Sequence, residues 1–280
     1  MVTQPIAIAV APNGARKTHA DHPALPITPD ELAACARQCV DAGAAMLHLH
    51  VRRPDGTHSL EPGDYRPAIA AVRHAVGDAL VIQITTEAVG IYTPEQQMAS
   101  VRALQPEAIS AALRELAPDA AHEAEAARFF GELAAARTAI QYILYSADDV
   151  ARYRDLRTRG VLPDTSHWVL FVLGRYSAGQ HSDPTDLLQF LQAWADGGQT
   201  LAGEVHPGDA CQLLGNDFIG AVFSRHMAQR YHRREAHEAV AAQPEHRKEF
   251  LNAVQHSQVR LIVTLNFAAR GTAKHHRYRH

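Results

Sequence analysis

The sequence predicts an α/β protein of the (β/α)₈ TIM-barrel class. Short apolar strand patterns alternate with amphipathic helix patterns along the first two-thirds of the chain. The alternation recurs at about 25–30 residues, as parallel strands joined by crossover helices require. Six such units fit before about residue 196, and the 280-residue chain leaves room for two more. An eight-unit barrel needs roughly 250 residues. A doubly wound open sheet is the alternative, but no Gly-rich dinucleotide fingerprint follows the first strand.

Ile6–Pro12 is a short apolar run closed by Pro12-Asn13-Gly14, a strand and then a turn. Thr28-Pro29-Asp30-Glu31 opens the first helix. Thr28 suits the N-cap, Pro29 the first helical position, and Glu31 completes a capping box. That helix runs to about Asp41, and Gly43 stops it. Ala45–Arg52 is the second strand, followed by a turn at Pro54-Asp55-Gly56. Asp64–Val76 is helical, with Ile69, Val72 and Val76 on its apolar side. Leu80–Thr86 is almost continuously apolar, as a strand buried on both faces should be. Pro94–Leu104 is a helix capped by Thr93. Glu107–Leu113 is a weaker strand, and Asp119–Arg137, rich in Ala and Glu, is one long helix. Thr138–Tyr145 is a strand, Ala147–Arg159 a helix, and His167–Leu173 a strong strand. Asp183–Trp194 is a helix capped by Ser182 or Asp183.

After the break at Asp196-Gly197-Gly198 the pattern is harder to read. Thr200–His206 and Asp217–Ser224 are strand candidates, and Val259–Phe267 is a clearer one. A His/Arg/Ala-rich stretch, Arg225–Val254, is assigned to helix. One barrel domain over 1–267 results, its last part from residue 197 atypical or incomplete, with a disordered basic tail over 268–280.

Composition narrows the partners. Hydrophobic residues make up 46% and charged residues 20%, and the formal net charge is −3. That balance excludes a nucleic-acid or membrane-surface protein as the expectation. No apolar run reaches the ~20 residues of a membrane span. The start, MVTQPIAIAVAPNG, has no basic segment ahead of a long apolar one, so no signal peptide is expected. Three cysteines do not make a disulfide framework, and the cytoplasm is the expected compartment. Cys35 and Cys39 share a helix face as two small buried side chains.

His48 and His50 carry the sharpest chemical signal among eighteen histidines. Residues i and i+2 of a strand point to one side, so both imidazoles project together at the strand's C-terminal end. Barrel active sites lie at that end. Two converging imidazoles are half of a transition-metal site. Two hydrogen-bonded histidines in a polar barrel layer would give the same pattern.

The run Ala42-Gly43-Ala44-Ala45-Met46-Leu47-His48-Leu49-His50-Val51-Arg52 resembles the β-keto acid cleavage enzyme family. Asn13-Gly14-Ala15, His22-Pro23-Ala24-Leu25-Pro26-Ile27-Thr28 and Gln83-Ile84-Thr85-Thr86 resemble it too, so the likeness covers about residues 5–195. The resemblance implies a (β/α)₈ barrel holding a divalent metal, zinc or another transition metal, on His48, His50 and a late-strand Glu. It implies a reaction of a β-keto acid with acetyl-CoA that gives acetoacetate and the CoA thioester of the shortened acid. Thr85, Thr86 and Glu87 are the catalytic candidates: two hydroxyl donors toward the substrate carboxylate, and a base or partner of a ligating histidine. Asn13, Ser110 and Arg260 are the substrate-binding candidates. Arg114, and Arg175, Arg52 and Arg53 as partners of an anionic substrate or the CoA phosphates, are further strand-end candidates. Assembly as a homotetramer is the family's habit.

Two departures stand out. The family carries Gly-Ala-Glu after its first strand, where this chain has Gly14-Ala15-Arg16. The family closes its barrel with V-R-V-G-x-E-(D/N)-N, whose Glu is the third ligand. The nearest stretch here, Val259–Asn266, keeps Val259-Arg260 but has Thr264 and Leu265 in place of the two acids. Either Arg260 is the family arginine beside a degraded metal site, or the chain after about residue 197 is not homologous, as a shifted reading frame would produce. Glu204, His206 and Asp217 are substitute ligand candidates. Three functions compete on these residues: the cleavage enzyme, a binding barrel without turnover, and a metal-dependent hydrolase.

Overall fold

The computed structural model describes residues 7–163, 168–173, 186–195, 210–215 and 262–266. Its strands and helices follow in the order β1 (Ala7–Ala11), α1 (Pro29–Asp41), β2 (Met46–Leu49), β3 (Val51–Arg52), β4 (His58–Ser59), α2 (Pro62–Val76), β5 (Val81–Thr85), α3 (Pro94–Leu104), β6 (Ala108–Ala112), α4 (Leu113–Leu116), α5 (Glu123–Ala135), β7 (Ala139–Leu144), α6 (Ala147–Thr158), β8 (Trp168–Leu173), α7 (Leu187–Ala195), β9 (Ala210–Gly215) and β10 (Ile262–Asn266). Eight strands form one parallel sheet in the order β10-β1-β2-β5-β6-β7-β8-β9. The outer strands β9 and β10 approach one another, so the sheet curls as a barrel's does.

The alternation of each strand sorts its residues into two layers. Leu47 and Leu49, Ile82 and Ile84, Ile109 and Ala111, and Tyr142 and Leu144 join the large core shared with the helices. From the helices come Leu32, Tyr65, Val72, Met98, Val101, Phe129 and Phe130. Each such side chain contributes about 1.5–3 kcal/mol by leaving water. The opposite face carries Met46 and His48, Gln83 and Thr85, Ser110, and Gln141, a set with far more polar groups.

Local signals set the helix starts. Thr28 and Thr93 each close a full capping box, with Glu31 and Gln96. Such a cap is worth about 1 kcal/mol. Gly43 ends α1 in the left-handed region, at φ 84°.

Three expectations need correction. Ala45–Arg52 is not one strand. β2 ends at Leu49, and Val51–Arg52 leaves the sheet to pair antiparallel with His58–Ser59 across the Pro54-Asp55-Gly56 turn. Gly56 takes φ 83°, which lets the turn close. Asp119–Arg137 is not one helix either. Asp119 accepts hydrogen bonds from Ala121 and His122 and holds a separate 3₁₀ turn before α5 begins. Glu107–Leu113 gives way to a one-turn helix, α4, from Leu113 onward.

The reading of Val259–Phe267 as a strand holds for β10, which lies beside β1 with Ala9 opposite Thr264. That is the closing position of a barrel. β9 was not foreseen. Thr200–His206, Asp217–Ser224, Arg225–Val254 and the tail 268–280 lie outside the described residues. No described helix is long and apolar enough to cross a membrane.

Candidate metal and substrate site

The inward polar residues meet along the sheet register. His48 lies opposite Gln83, Thr85 opposite Ser110, and Ser110 opposite Gln141. Tyr65 of α2 ties the strand ends beneath the site. Its buried hydroxyl lies 3.4 Å from the Leu49 carbonyl and 3.2 Å from that of Thr85.

His48 and His50 converge as expected, although β2 stops one residue before His50. Their Nε2 atoms are 3.0 Å apart and the rings meet edge to face. Two nitrogens bound tetrahedrally to zinc at ~2.0–2.1 Å would lie about 3.3 Å apart. The pair is therefore close to the spacing of two zinc ligands.

The hydrogen on His48 is fixed by its neighbour. Gln83 Nε2 lies 3.3 Å from both the Ile109 carbonyl and Gln141 Oε1. A backbone carbonyl can only accept, so the Gln83 amide turns its oxygen toward His48. Gln83 Oε1 accepts from His48 Nδ1 at 2.6 Å. The lone pair of His48 is thereby left on Nε2, the atom that faces His50.

Burial pushes both histidines below their ordinary pKa, His50 well below it. For His48 the hydrogen bond it donates to Gln83 and the charge of Glu87 work the other way. For His50 the neighbouring His48, His58, Arg52 and Arg16 add to the burial. Neutral imidazoles are the form that binds metal. Among the described residues, no group of three His, Cys, Asp or Glu side chains could hold a metal ion. The two imidazole nitrogens present are half of a tetrahedral coordination shell.

The other expected residues fall as follows. Thr85 is buried, and its hydroxyl accepts from the Glu87 N–H at 3.0 Å. Thr86 donates its hydroxyl to the Ser110 carbonyl at 2.9 Å. Ser110 is buried and its Oγ has no partner. Glu87 pairs with Arg16 at 3.1 Å. The cation at the departing Gly14-Ala15-Arg16 stretch thus sits on a catalytic candidate. Asn13 is buried and reaches the carbonyls of Pro26 and His50, each at 3.0 Å, which tethers the loop after β1 to the second histidine. Arg52 is buried and donates to the Val51 and Gly14 carbonyls. Arg53 donates to the Tyr92 hydroxyl at 2.9 Å. Arg114 pairs with Asp149 at 2.7 Å. Arg260, Arg175, Glu204, His206 and Asp217 lie outside the described residues.

The sequence reading missed three contributors. Gln83 and Gln141 each sit mid-strand among apolar neighbours, in VIQIT and AIQYIL. A buried glutamine in such a run was itself a readable signal. His58 was missed because only the β3–β4 pairing brings it to His50, with ring centroids 5.6 Å apart.

Unpartnered polar atoms gather here. Asn13 Oδ1, His50 Nδ1, His58 Nδ1 and Ser110 Oγ are all buried without a hydrogen-bond partner. Each such group costs about 1–3 kcal/mol. Concentrating them at one end of the sheet marks a place built for something other than stability.

The family model described as beta-keto acid cleavage enzyme matches residues 5–206. The chain is 38% identical over 86 residues to a 3-oxoadipate:acetyl-CoA acetyltransferase of Cupriavidus necator, covering 30% of each chain. It is 36% identical over 103 residues to a 3-keto-5-aminohexanoate cleavage enzyme of Acetoanaerobium sticklandii, covering 37% of each. The matched stretches thus span about a third of these relatives' length. A solved complex of ObcA with oxaloacetate has a TM-score of 0.47 and 14% identity, over 88% of this chain and 57% of that one.

Proposed function

The chain belongs to the β-keto acid cleavage enzyme family, and from that premise we propose that it transfers acyl groups between a β-keto acid and acetyl-CoA. The acid R–CO–CH₂–COO⁻ and acetyl-CoA would give acetoacetate and R–CO–S–CoA. The bond between the keto carbon and the CH₂ breaks, the acyl group R–CO passes to the CoA sulfur, and the acetyl group joins the CH₂–COO⁻ fragment. The relatives named above are a 3-oxoadipate:acetyl-CoA acetyltransferase and a 3-keto-5-aminohexanoate cleavage enzyme, both of which fit this reaction class.

One observation carries the proposal: the two Nε2 atoms 3.0 Å apart, with His48 held in a single tautomer by Gln83. His48 and His50 would hold a divalent transition metal, zinc by the family's habit. Such an ion, when bound, supplies Lewis-acid polarisation of a keto carbonyl. The chain's own groups do the rest. The unpartnered Ser110 Oγ and the Thr85 hydroxyl face one another across β5 and β6, which suits them to hold a carboxylate. Burial around His50 excludes water and strengthens those contacts. Glu87, two residues beyond Thr85 and paired with Arg16, would be the carboxylate to take a proton.

Purified protein, incubated with acetyl-CoA, zinc and a panel of 3-oxo acids, should form acetoacetate and a new acyl-CoA by mass spectrometry, and His48→Ala should abolish both. Zinc binding without product in every case would favour a barrel that binds and does not turn over. CoA-independent release of a carboxylic acid would favour a hydrolase.

A further inference from the structure

His58 is the group at this site that the proposed function leaves unused. Its Nε2 lies 2.9 Å from the Glu87 carbonyl oxygen, which can only accept. Nε2 therefore carries the hydrogen, and Nδ1 carries a lone pair. That Nδ1 is buried and has no partner. The ring of His50 lies 5.6 Å away between centroids, tilted by 52°. His50 Nδ1 is likewise buried and unpartnered.

The two unsatisfied nitrogens are complementary in only one tautomer of His50. The Nε2 of His48 is a lone pair, fixed by Gln83. At 3.0 Å from it, His50 Nε2 must be the donor. The neutral ring of His50 then has its one ring lone pair at Nδ1, and the ring of His58 carries its own at Nδ1. Two lone pairs cannot bond one another, and the rings as they stand make no hydrogen bond to each other. Moving the single hydrogen of His50 from Nε2 to Nδ1 changes no charge, and it turns the pair into donor and acceptor. It also leaves Nε2 of both His48 and His50 as lone pairs, 3.0 Å apart, that one cation could share.

We infer that His58 is a positioning residue: after a small ring rotation it accepts a hydrogen bond from His50 Nδ1, and so selects the tautomer of His50 that binds metal. Glu87 O, His58 and His50 then form one chain of hydrogen bonds ending at the ion, as Gln83 does for His48. The inference rests on the reading of His48 and His50 as ligands. It assigns no chemistry to His58, whose part is orientation. Outer partners of this kind typically change metal affinity by 10–100-fold.

The test measures zinc affinity by competition with a chromophoric chelator, in the full chain. His58→Ala should bind zinc about 10–100-fold more weakly than wild type. His58→Gln, which can still donate to Glu87 O and accept from His50, should recover most of that loss. Wild-type affinity in His58→Ala, or a Gln variant no better than the Ala variant, would overturn the inference. Should His58→Ala not fold, nitrogen-15 spectra of histidine-labelled wild type decide the matter. With zinc bound, His50 Nδ1 should carry the hydrogen, and an unprotonated Nδ1 would overturn the inference. Wild type that takes up no zinc would remove the ligand reading itself, and the inference with it. Zinc uptake that ignores His58 would remove only the inference.

Discussion

The side-chain oxygen of Gln83 accepts a hydrogen bond from Nδ1 of His48 at 2.6 Å, and the same amide is anchored on the far side by the Ile109 carbonyl. A residue on one strand therefore decides which nitrogen of a histidine on the next is free to bind. Gln83→Leu keeps the side chain's approximate size and removes that control. Zinc affinity measured by chelator competition should fall about 10–100-fold. Gln83→Glu, still an acceptor, should fall far less. An unchanged affinity in the Leu variant would mean that His48 is not held through Nδ1.

Stability should depend on pH through the histidines. Burial penalises the charged forms of His48, His50 and His58 and holds all three below the ordinary histidine pKa in the folded chain. A depressed folded value means that the unfolded chain binds protons first as pH falls. Stability is then fully present above about 6.5 and is lost as pH drops toward the folded values, by about 1.4 kcal/mol per unit of separation for each group. Urea unfolding at pH 8, 6 and 5 would measure it. The His50→Gln variant should show a shallower loss. Stability that rises on acidification would contradict the assignment of buried, neutral histidines.

Tyr65→Phe removes the hydroxyl that spans the Leu49 and Thr85 carbonyls. The cost should be about 0.5–1.5 kcal/mol in denaturant unfolding, and a lower melting temperature. Because the same hydroxyl holds two strand ends under the site, zinc affinity should also drop, which a purely local stability effect would not cause.

Thr28→Ala breaks the capping box at α1, where the Thr28 hydroxyl and the Glu31 carboxylate exchange hydrogen bonds with the backbone. A loss of about 1 kcal/mol is expected, with zinc affinity unchanged. This variant serves as the control for the previous one.

How much of this was legible beforehand follows from the range of the forces involved. Helix starts rest on contacts three residues apart, so Thr28, Thr93 and their partners could be read directly. Strand interiors rest on alternation, so Val81–Thr85 and Trp168–Leu173 were found nearly to the residue. His48 and His50 were visible because two residues on one strand face carry their geometry with them. The break after Leu49 was not, because Val51–Arg52 departs to meet a partner beyond a turn. His58 was hidden by the same event. Gln83 is visible in the sequence, but its role lies in what it faces across the register. β9 escaped because Ala210–Gly215 offers only a short apolar run between turn-prone neighbours. The fading of family resemblance near residue 197 agrees with a family match that ends at residue 206.

The pairing of Ala7 with Ile262 has a temporal meaning as well. A ribosome delivers β1 well before its neighbour β10, about 250 residues later in the sequence. Through most of synthesis one side of β1 is a bare row of amides and carbonyls, a template for any other extended chain nearby. Contacts between such distant parts of a chain also form slowly once both are present. Yield in the cell should therefore respond to chaperone supply and to growth temperature more than the finished protein's stability would suggest.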